Sequence, residues 1–266
     1  MQLEGSATNP PSEVYRAFHN YFEIIPADTS ALLDEVFALR YQVYCVEHPF
    51  ENPQEHLDGR EWDEYDARAV HTLVRHKRTG DCAAAVRLVL PDRRHPETAF
   101  PLEQACTNSL YEEAKPWIAD LDRHKVAEIS RLAVSKAFRR RLGEAETVSG
   151  VSAQAVYSDA QGPDSRRRGF PHITLGLFAA IVRMSVDQDI THWFAVMEPT
   201  LLRLLQRFGI HFPPIAPLVE HHGLRRPTLA AATTVVGGIL CKRPDIWEIV
   251  TDRGRFVPRA TAQPVK

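Results

Sequence analysis

Nine residues in the middle of the chain limit its fold more than any others. Val126–Val134 reads V-A-E-I-S-R-L-A-V, apolar enough for a strand buried on both faces, yet it carries a carboxylate, a hydroxyl and a guanidinium. An unpaired charge inside a sheet is strongly unfavourable, so Glu128 and Arg131 must either find partners there or be put to use. Strand alternation sets Glu128 and Ser130 on one face and Ile129 and Arg131 on the other, unless a bulge intervenes. Two readings stand at this point: a buried ion-pair network that only holds the sheet together, or acid–base chemistry mounted on a strand.

Helical and extended patterns alternate around this segment. Residues 22–25 read as a short strand ended by Pro26, and Asp28, Thr29 or Ser30 caps a helix with Asp34 and Glu35 in its first turns. Leu32, Leu33, Val36, Leu39, Val43 and Tyr44 recur at helical spacing on its inner face. Residues 70–76 and 82–90 form a hairpin around Thr79-Gly80-Asp81, and a short helix falls around 110–121. Pro171 opens an apolar helix running to about residue 187. A strand at 192–197 and a helix at 200–208, stopped by Gly209, follow, and 210–212 and 228–236 supply two more strands. The sum is an α/β fold with a central mixed sheet flanked by helices. The 266 residues divide into a flexible arm at 1–20, one domain over 21–258 with a polar insertion near 139–170, and a flexible tail at 259–266.

The charge balance, 32 Lys plus Arg against 34 Asp plus Glu, exerts no global pull toward nucleic acid, and the Arg triplets at 139–141 and 166–168 lack interleaved aromatics. The first 15 residues show no signal-peptide core, and the longest apolar run, 173–182, is half a membrane span. Four cysteines without paired spacing suggest neither a disulfide framework nor a zinc site. A soluble, cytoplasmic protein is expected. Glu220-His221-His222 lacks a third ligand at recognisable spacing, so no metal is expected, and Cys45 and Cys106 carry no Cys–His signature for an acyl-cysteine.

One polar stretch is too long for a simple connection. Residues 47–66 end in Glu61-Trp62-Asp63-Glu64-Tyr65-Asp66, for which Arg40 and Arg87 are natural partners. A solvated acidic loop is the plainer alternative.

Arg40 with Val43 and Tyr44, then Glu61, Asp63 and Asp66, then Arg87 before Leu88 and Pro91, then Glu128-Ile129-Ser130-Arg131 before Ala133-Val134, resemble the signature of acyl-homoserine-lactone (autoinducer) synthases, which are GNAT-like acyltransferases. Over more of the chain, four segments resemble the acyltransferases associated with PEP-CTERM/exosortase systems. They are Leu39-Arg40-Tyr41-Gln42-Val43-Tyr44-Cys45-Val46-Glu47, Asp63-Glu64-Tyr65-Asp66-Ala67-Arg68, Val196-Met197-Glu198-Pro199 and Phe208-Gly209-Ile210-His211-Phe212. That group is similar to the N-acyl amino acid synthases.

The resemblance implies a GNAT-like fold and transfer of a long-chain acyl group from a thioester to the amine of an amino acid or similar acceptor. In that scheme Glu128 accepts the amine's proton, Ser130 positions the amine or thioester, and the amide of Leu132 or Ala133 polarises the carbonyl. Arg40, Asp63, Asp66, Arg87 and Arg131 form a charged cluster at the acceptor site, touching substrate or ordering the acidic loop. Arg139-Arg140-Arg141-Leu142-Gly143 only half fits the pyrophosphate loop of coenzyme A-dependent relatives. The implied donor is therefore acyl carrier protein, with acyl-coenzyme A as the other co-substrate, and no cofactor is bound. Arg139, Arg140 and Arg141 would meet the carrier, with His172 and Thr174 at a helix start near the pantetheine phosphate. Phe178, Trp193, Phe194 and residues 201–205 read mostly as core, some of them lining an acyl slot. A long-chain amphiphilic product would bring transient membrane contact. The alternatives are an autoinducer synthase using S-adenosylmethionine and a non-catalytic acyl- or carrier-binding module.

Overall fold

The computed structural model describes residues 10–106, 109–141, 172–221 and 223–259. Its frame is a seven-stranded mixed sheet of order β1-β2-β3-β4-β5-β7-β6. The strands are β1 (Phe22–Pro26), β2 (Ala69–His76), β3 (Cys82–Val89), β4 (Val126–Val134), β5 (His192–Met197), β6 (Val219–Glu220) and β7 (Leu224–Ala231). Every neighbouring pair is antiparallel except β4 and β5.

Helices α1 (Glu13–Tyr21), α2 (Ser30–Tyr41), α3 (Pro101–Cys106), α4 (Ala114–Ala119), α5 (Lys136–Arg141), α6 (His172–Asp187), α7 (Pro199–Arg207), α8 (Ala232–Lys242) and α9 (Pro244–Val250) cover its two faces. α6 is buried along almost its whole length against Val74, Ala84, Val86, Leu88 and Ile129, as its nearly uninterrupted apolar sequence requires. The opposite face divides into two smaller cores. One gathers Phe100, Leu102, Cys106 and Phe194 under α3 and α4, and the other packs Val36, Leu39, Val43 and Tyr44 of the α2 segment on Leu73, Ala85 and Ala133. Thr29 caps α2 by accepting from the Leu32 amide. Gly209 ends α7 at φ 83°, and a Cβ there would run into the Gly238 carbonyl of α8.

β1, the hairpin, β4, α6 and β5 fall where the sequence pattern puts them. Three expectations need correction. Residues 13–21, read as part of a loose arm, form α1, whose N-cap is Ser12 and whose Phe18 is fully buried in the main core. Its polar look comes from the outer face alone. Residues 210–212 are not a strand, although Ile210 and Phe212 are buried on either side of an exposed His211, and the strand expected at 228–236 is displaced. β7 begins at Leu224 and gives way at Ala232 to α8, because an apolar run with no alternation suits a buried helix as well as a strand. The body of the insertion, residues 142–171, lies outside the described residues, as do residues 1–9 and 260–266.

Candidate active site

β4 is regular only in its first half. The register runs from Arg87↔Ser130 to Ala85↔Ala133, leaving Arg131 and Leu132 opposite a single residue of β3, and Arg131 adopts φ 48°. This bulge rotates the strand, so Arg131 does not point away from Ser130 as strict alternation would have it. Both side chains enter one charged cluster. A π-helical turn, Gln42–Glu47, completes the arrangement by bringing Tyr44 beneath Arg131, whose guanidinium lies 5.3 Å from the ring centroid. The Tyr44 hydroxyl donates to the Leu132 carbonyl at 3.1 Å.

The cluster contains the guanidiniums of Arg40, Arg87 and Arg131 and the carboxylates of Glu51, Glu61, Asp63 and Asp66. Arg40, wholly buried, donates to Glu61 at 2.5 Å and holds Asp66 through two parallel bonds of 2.8 and 3.0 Å. Arg87 donates to Asp63 at 2.5 Å, Asp66 at 2.9 Å and the Ser130 hydroxyl at 3.0 Å. Arg131 reaches Glu51 at 2.7 Å, Glu61 at 3.0 Å and Asp63 at 3.1 Å. Asp63 and Asp66 also close a capping box on the short helix Glu64–Arg68, which pins the end of the acidic stretch to the sheet. This is no solvated loop.

Arg40 and Arg131 hold the Glu61 carboxyl down at a pKa of about 2, and Arg40 and Arg87 hold Asp66 well below the usual carboxylate range. His71, 3.4 Å from Asp66, is pushed down to about 4 by burial and by Arg40, and so is neutral. Of the residues singled out from sequence, Arg40, Asp63, Asp66, Arg87 and Arg131 do come together, and Arg40 and Arg87 are too enclosed by carboxylates to meet a substrate. Sequence reasoning passed over Glu51 and His71, and it quoted Glu61 without giving it a role. Glu61 bridges Arg40 and Arg131.

Glu128 lies on the same strand but in different surroundings. Its carboxylate is buried and accepts one hydrogen bond, 2.8 Å, from the Leu102 amide at the start of α3. Burial raises its pKa to about 7; the Leu102 bond and the more distant Arg87 restrain the rise.

The bulge also opens the sheet. β4 and β5 pair only over Val126–Ile129 and His192–Ala195, and beyond that point they diverge around a cleft. Glu128, Ser130, Arg131, Leu132 and Tyr44 form one wall. Ile129, Phe178, Ile181, Ala195, Met197 and Leu201 supply its apolar lining, two of them from α6, and Glu198, His221 and Arg225 line it as well. Ala133 is fully buried against Ala85 and does not line the cleft, which leaves Leu132 as the bulge residue bordering it.

The carrier-facing set is altered. Arg139 is buried and ion-paired with Glu47, with His48 Nε2 at 2.9 Å from its Nη1, so it ties α5 to the π-helical turn and is not offered to a partner surface. Thr174 is buried within α6, which is enclosed along its length. The side chains of Arg140, Arg141 and His172 lie outside the described residues. Burial lifts the Cys45 thiol to about 11 and raises Cys106 as well, so neither presents a thiolate.

Residues 39–148 match the acetyltransferase (GNAT) domain family. No curated protein matches the chain. The crystal structure of TofI in a ternary complex with an inhibitor and MTA is similar at 16% identity and TM-score 0.54, over 85% of this chain and 99% of that one. FeeM, an N-acyl amino acid synthase from uncultured soil microbes, is similar at 12% identity and TM-score 0.47, over 83% and 95% of the two chains. BjaI, a CoA-dependent acyl-homoserine lactone synthase solved with SAM and isopentyl-CoA, is similar at 20% identity and TM-score 0.47, over 90% of each. The fold is GNAT-like: the family match spans residues 39–148, and the TofI structure shares the fold over most of the chain. No described helix is long and apolar enough to cross a membrane.

Proposed function

We propose that this protein is an N-acyltransferase that moves a long-chain acyl group from a thioester to the amine of an amino acid. The observation that carries the reading is Glu128, a buried carboxyl of pKa about 7 beside the divergence of β4 and β5, at a cleft lined by both charged and apolar side chains. The acyl chain enters between the strands toward Phe178, Ile181 and Leu201. The neutral acceptor amine attacks the thioester carbon, its proton passes to Glu128, the C–N bond forms and the C–S bond breaks, and Glu128 returns that proton to the leaving thiolate, which departs as the thiol. The Leu132 amide at the bulge is the candidate donor to the developing oxyanion. Ser130 Oγ accepts from Arg87 Nε, which leaves its own O–H to donate into the cleft.

The donor is acyl carrier protein. The half-fitting pyrophosphate loop and the resemblance of the sequence to exosortase-associated acyltransferases support that choice over coenzyme A, and the cytoplasm is the expected compartment. The acidic loop acts by position: the arginine cluster fastens it beside the bulge, so Arg131 and Ser130 are held at the cleft.

Mass spectrometry tests the reading. Purified protein is given long-chain acyl carrier protein, or separately acyl-coenzyme A, with a pool of amino acids, amines and S-adenosylmethionine. An acyl amide that disappears in Glu128→Gln is expected. A homoserine lactone would replace this reading with that of an autoinducer synthase. Carrier binding with no amide from either donor would leave a binding module.

A further inference from the structure

Glu128 is held in place by residues that do not line the cleft. The hydrogen bond that its Oε2 accepts comes from Leu102, in the first turn of the six-residue α3. So short a helix cannot hold itself in place. Glu103, the next residue, anchors it. Its carboxylate accepts from the Phe100 amide at 2.9 Å and takes both prongs of the Arg123 guanidinium, Nη1 at 2.6 Å and Nη2 at 2.8 Å. Arg123 stands in the turn that leads directly into β4, and it also donates to the carbonyls of Pro96 at 3.2 Å and Thr98 at 3.3 Å. Arg68, at the end of the short helix pinned by the acidic cluster, fastens the same stretch through the carbonyls of Leu90 at 2.6 Å and Ala99 at 2.8 Å. Both guanidiniums lie over the Phe100 ring, 4.9 Å (Arg123) and 5.2 Å (Arg68) from its centroid. Arginines from two separate elements thus clasp the approach to α3, and the clasp aims a single amide at a single carboxylate.

We propose that Glu103 and Arg123 are positioning residues for Glu128: they fix the Leu102 amide against Oε2 and so leave Oε1 for the acceptor amine. The chemical part of this inference rests on the transferase reading; the clasp itself does not. Neither side chain is among those lining the cleft, so each acts through Glu128 and not on substrate. Charge alone would act in the opposite sense. Burial raises the Glu128 pKa, as does the charge of Glu103, whereas the Leu102 bond, Arg87 and Arg68 lower it. Tyr65 and Cys106 are the other titratable groups that sense the Glu128 charge. Deleting Glu103 therefore lowers the Glu128 pKa if only its field matters, and raises it if the Leu102 bond is lost with it.

The sign of the shift is the test. In the full chain labelled at glutamate, Glu128 is titrated by carbon-13 NMR of its carboxyl, the signal being assigned by its absence from Glu128→Gln. In Glu103→Ala the midpoint should rise by about half a unit to one unit above that of wild type, as loss of a hydrogen bond to a carboxylate predicts. Glu103→Gln, which keeps the size but loses the two-pronged grip, carries the same test should Glu103→Ala not fold. Arg123→Lys keeps the charge and loses the fork, so it should raise the midpoint by a smaller amount where field alone would leave it still. A fall or no change in the Glu103 variants would overturn the positioning role. Where an amide is made, the pH dependence of kcat should move with the NMR midpoint, and kcat at neutral pH should fall severalfold with the donor's KM unchanged. A raised KM with an unmoved kcat profile would put the pair in substrate binding and overturn the proposal. If no amide is made the transferase reading fails, and the titration still decides whether the clasp positions Glu128.

Discussion

Two groups of ionisable residues share β4 and respond to burial in opposite ways. At its bulged end, Glu61 and Asp66 are enclosed and fully ionised, with Glu61 held at about 2. Two residues before Ser130, Glu128 is equally enclosed, yet its pKa rises to about 7. Desolvation pushes all three carboxyls upward. What reverses it for the first two is direct contact with Arg40, Arg87 and Arg131, whereas Glu128 has one backbone amide and, among the described residues, no ion pair. Pairing makes a scaffold, and its absence leaves a group able to trade protons near neutral pH.

The comparison breaks most completely if the scaffold's central cation is removed. Arg40→Met leaves Glu61 and Asp66 buried without their shared guanidinium, and breaking a buried pair in this way costs about 3–5 kcal/mol. Urea unfolding should show the loss, and it should shrink as the pH falls toward 2, where the orphaned carboxyls take up protons. A loss below about 1 kcal/mol would mean that the cluster is not what holds the acidic loop.

Next comes the unpaired carboxyl. Glu128→Gln should lower kcat by about 10²- to 10⁴-fold, the usual contribution of a positioned base, while the wild-type rate rises with pH through about 7. Unchanged turnover in this variant would remove Glu128 from the chemistry.

The same residue makes a prediction about stability. Its folded pKa lies above its unfolded value, so the folded state holds a proton that the unfolded state releases. Stability therefore falls as the pH rises from about 4.5 to 7, by up to roughly 3 kcal/mol. Glu61 has the opposite sign: its contribution is full above about 4.5 and is lost as the pH falls toward 2. Glu128→Gln should be more stable than wild type at pH 8 and lose that advantage at pH 4.5. Parallel stability curves would show that Glu128 is not buried as a near-neutral acid.

Sequence reasoning reached the scaffold more fully than the geometry around it. Val126–Val134, His172–Asp187 and His192–Met197 are legible because each is an apolar run closed by polar or turn residues. Arg40 and Arg87 were legible as partners of the acidic stretch because charges set into apolar elements demand them, and the family resemblance implied that Asp63, Asp66 and Arg131 join them. The bulge was not, since only the register and the positive φ at Arg131 reveal it, and neither leaves a mark in a run of ordinary L-residues. The π-helical turn that brings Tyr44 under Arg131 is hidden for the same reason. α8 was misread as strand because Gly237 and Gly238 weaken its helical signal in an already apolar run. Glu51 escaped notice because it lies in a stretch of surface-like composition and acquires its partner 80 positions further on.

The smallest effect tests whether the bulge itself is catalytic. Tyr44 spans the two groups, with its ring under Arg131 and its hydroxyl on the Leu132 carbonyl. Tyr44→Phe keeps the ring and removes a single neutral hydrogen bond, worth about 0.5–1.5 kcal/mol, so the fold should persist with a slight drop in unfolding midpoint. The carbonyl it releases belongs to Leu132, and the rigidity of the bulge sets where the adjoining amides aim. If the Leu132 amide stabilises the oxyanion, loosening it should lower kcat severalfold with the donor's KM unchanged, because the bond is used in the transition state and not in binding. If kcat stays put and the donor's KM rises, Tyr44 merely shapes the mouth of the cleft, and the oxyanion must find its donor elsewhere on β4.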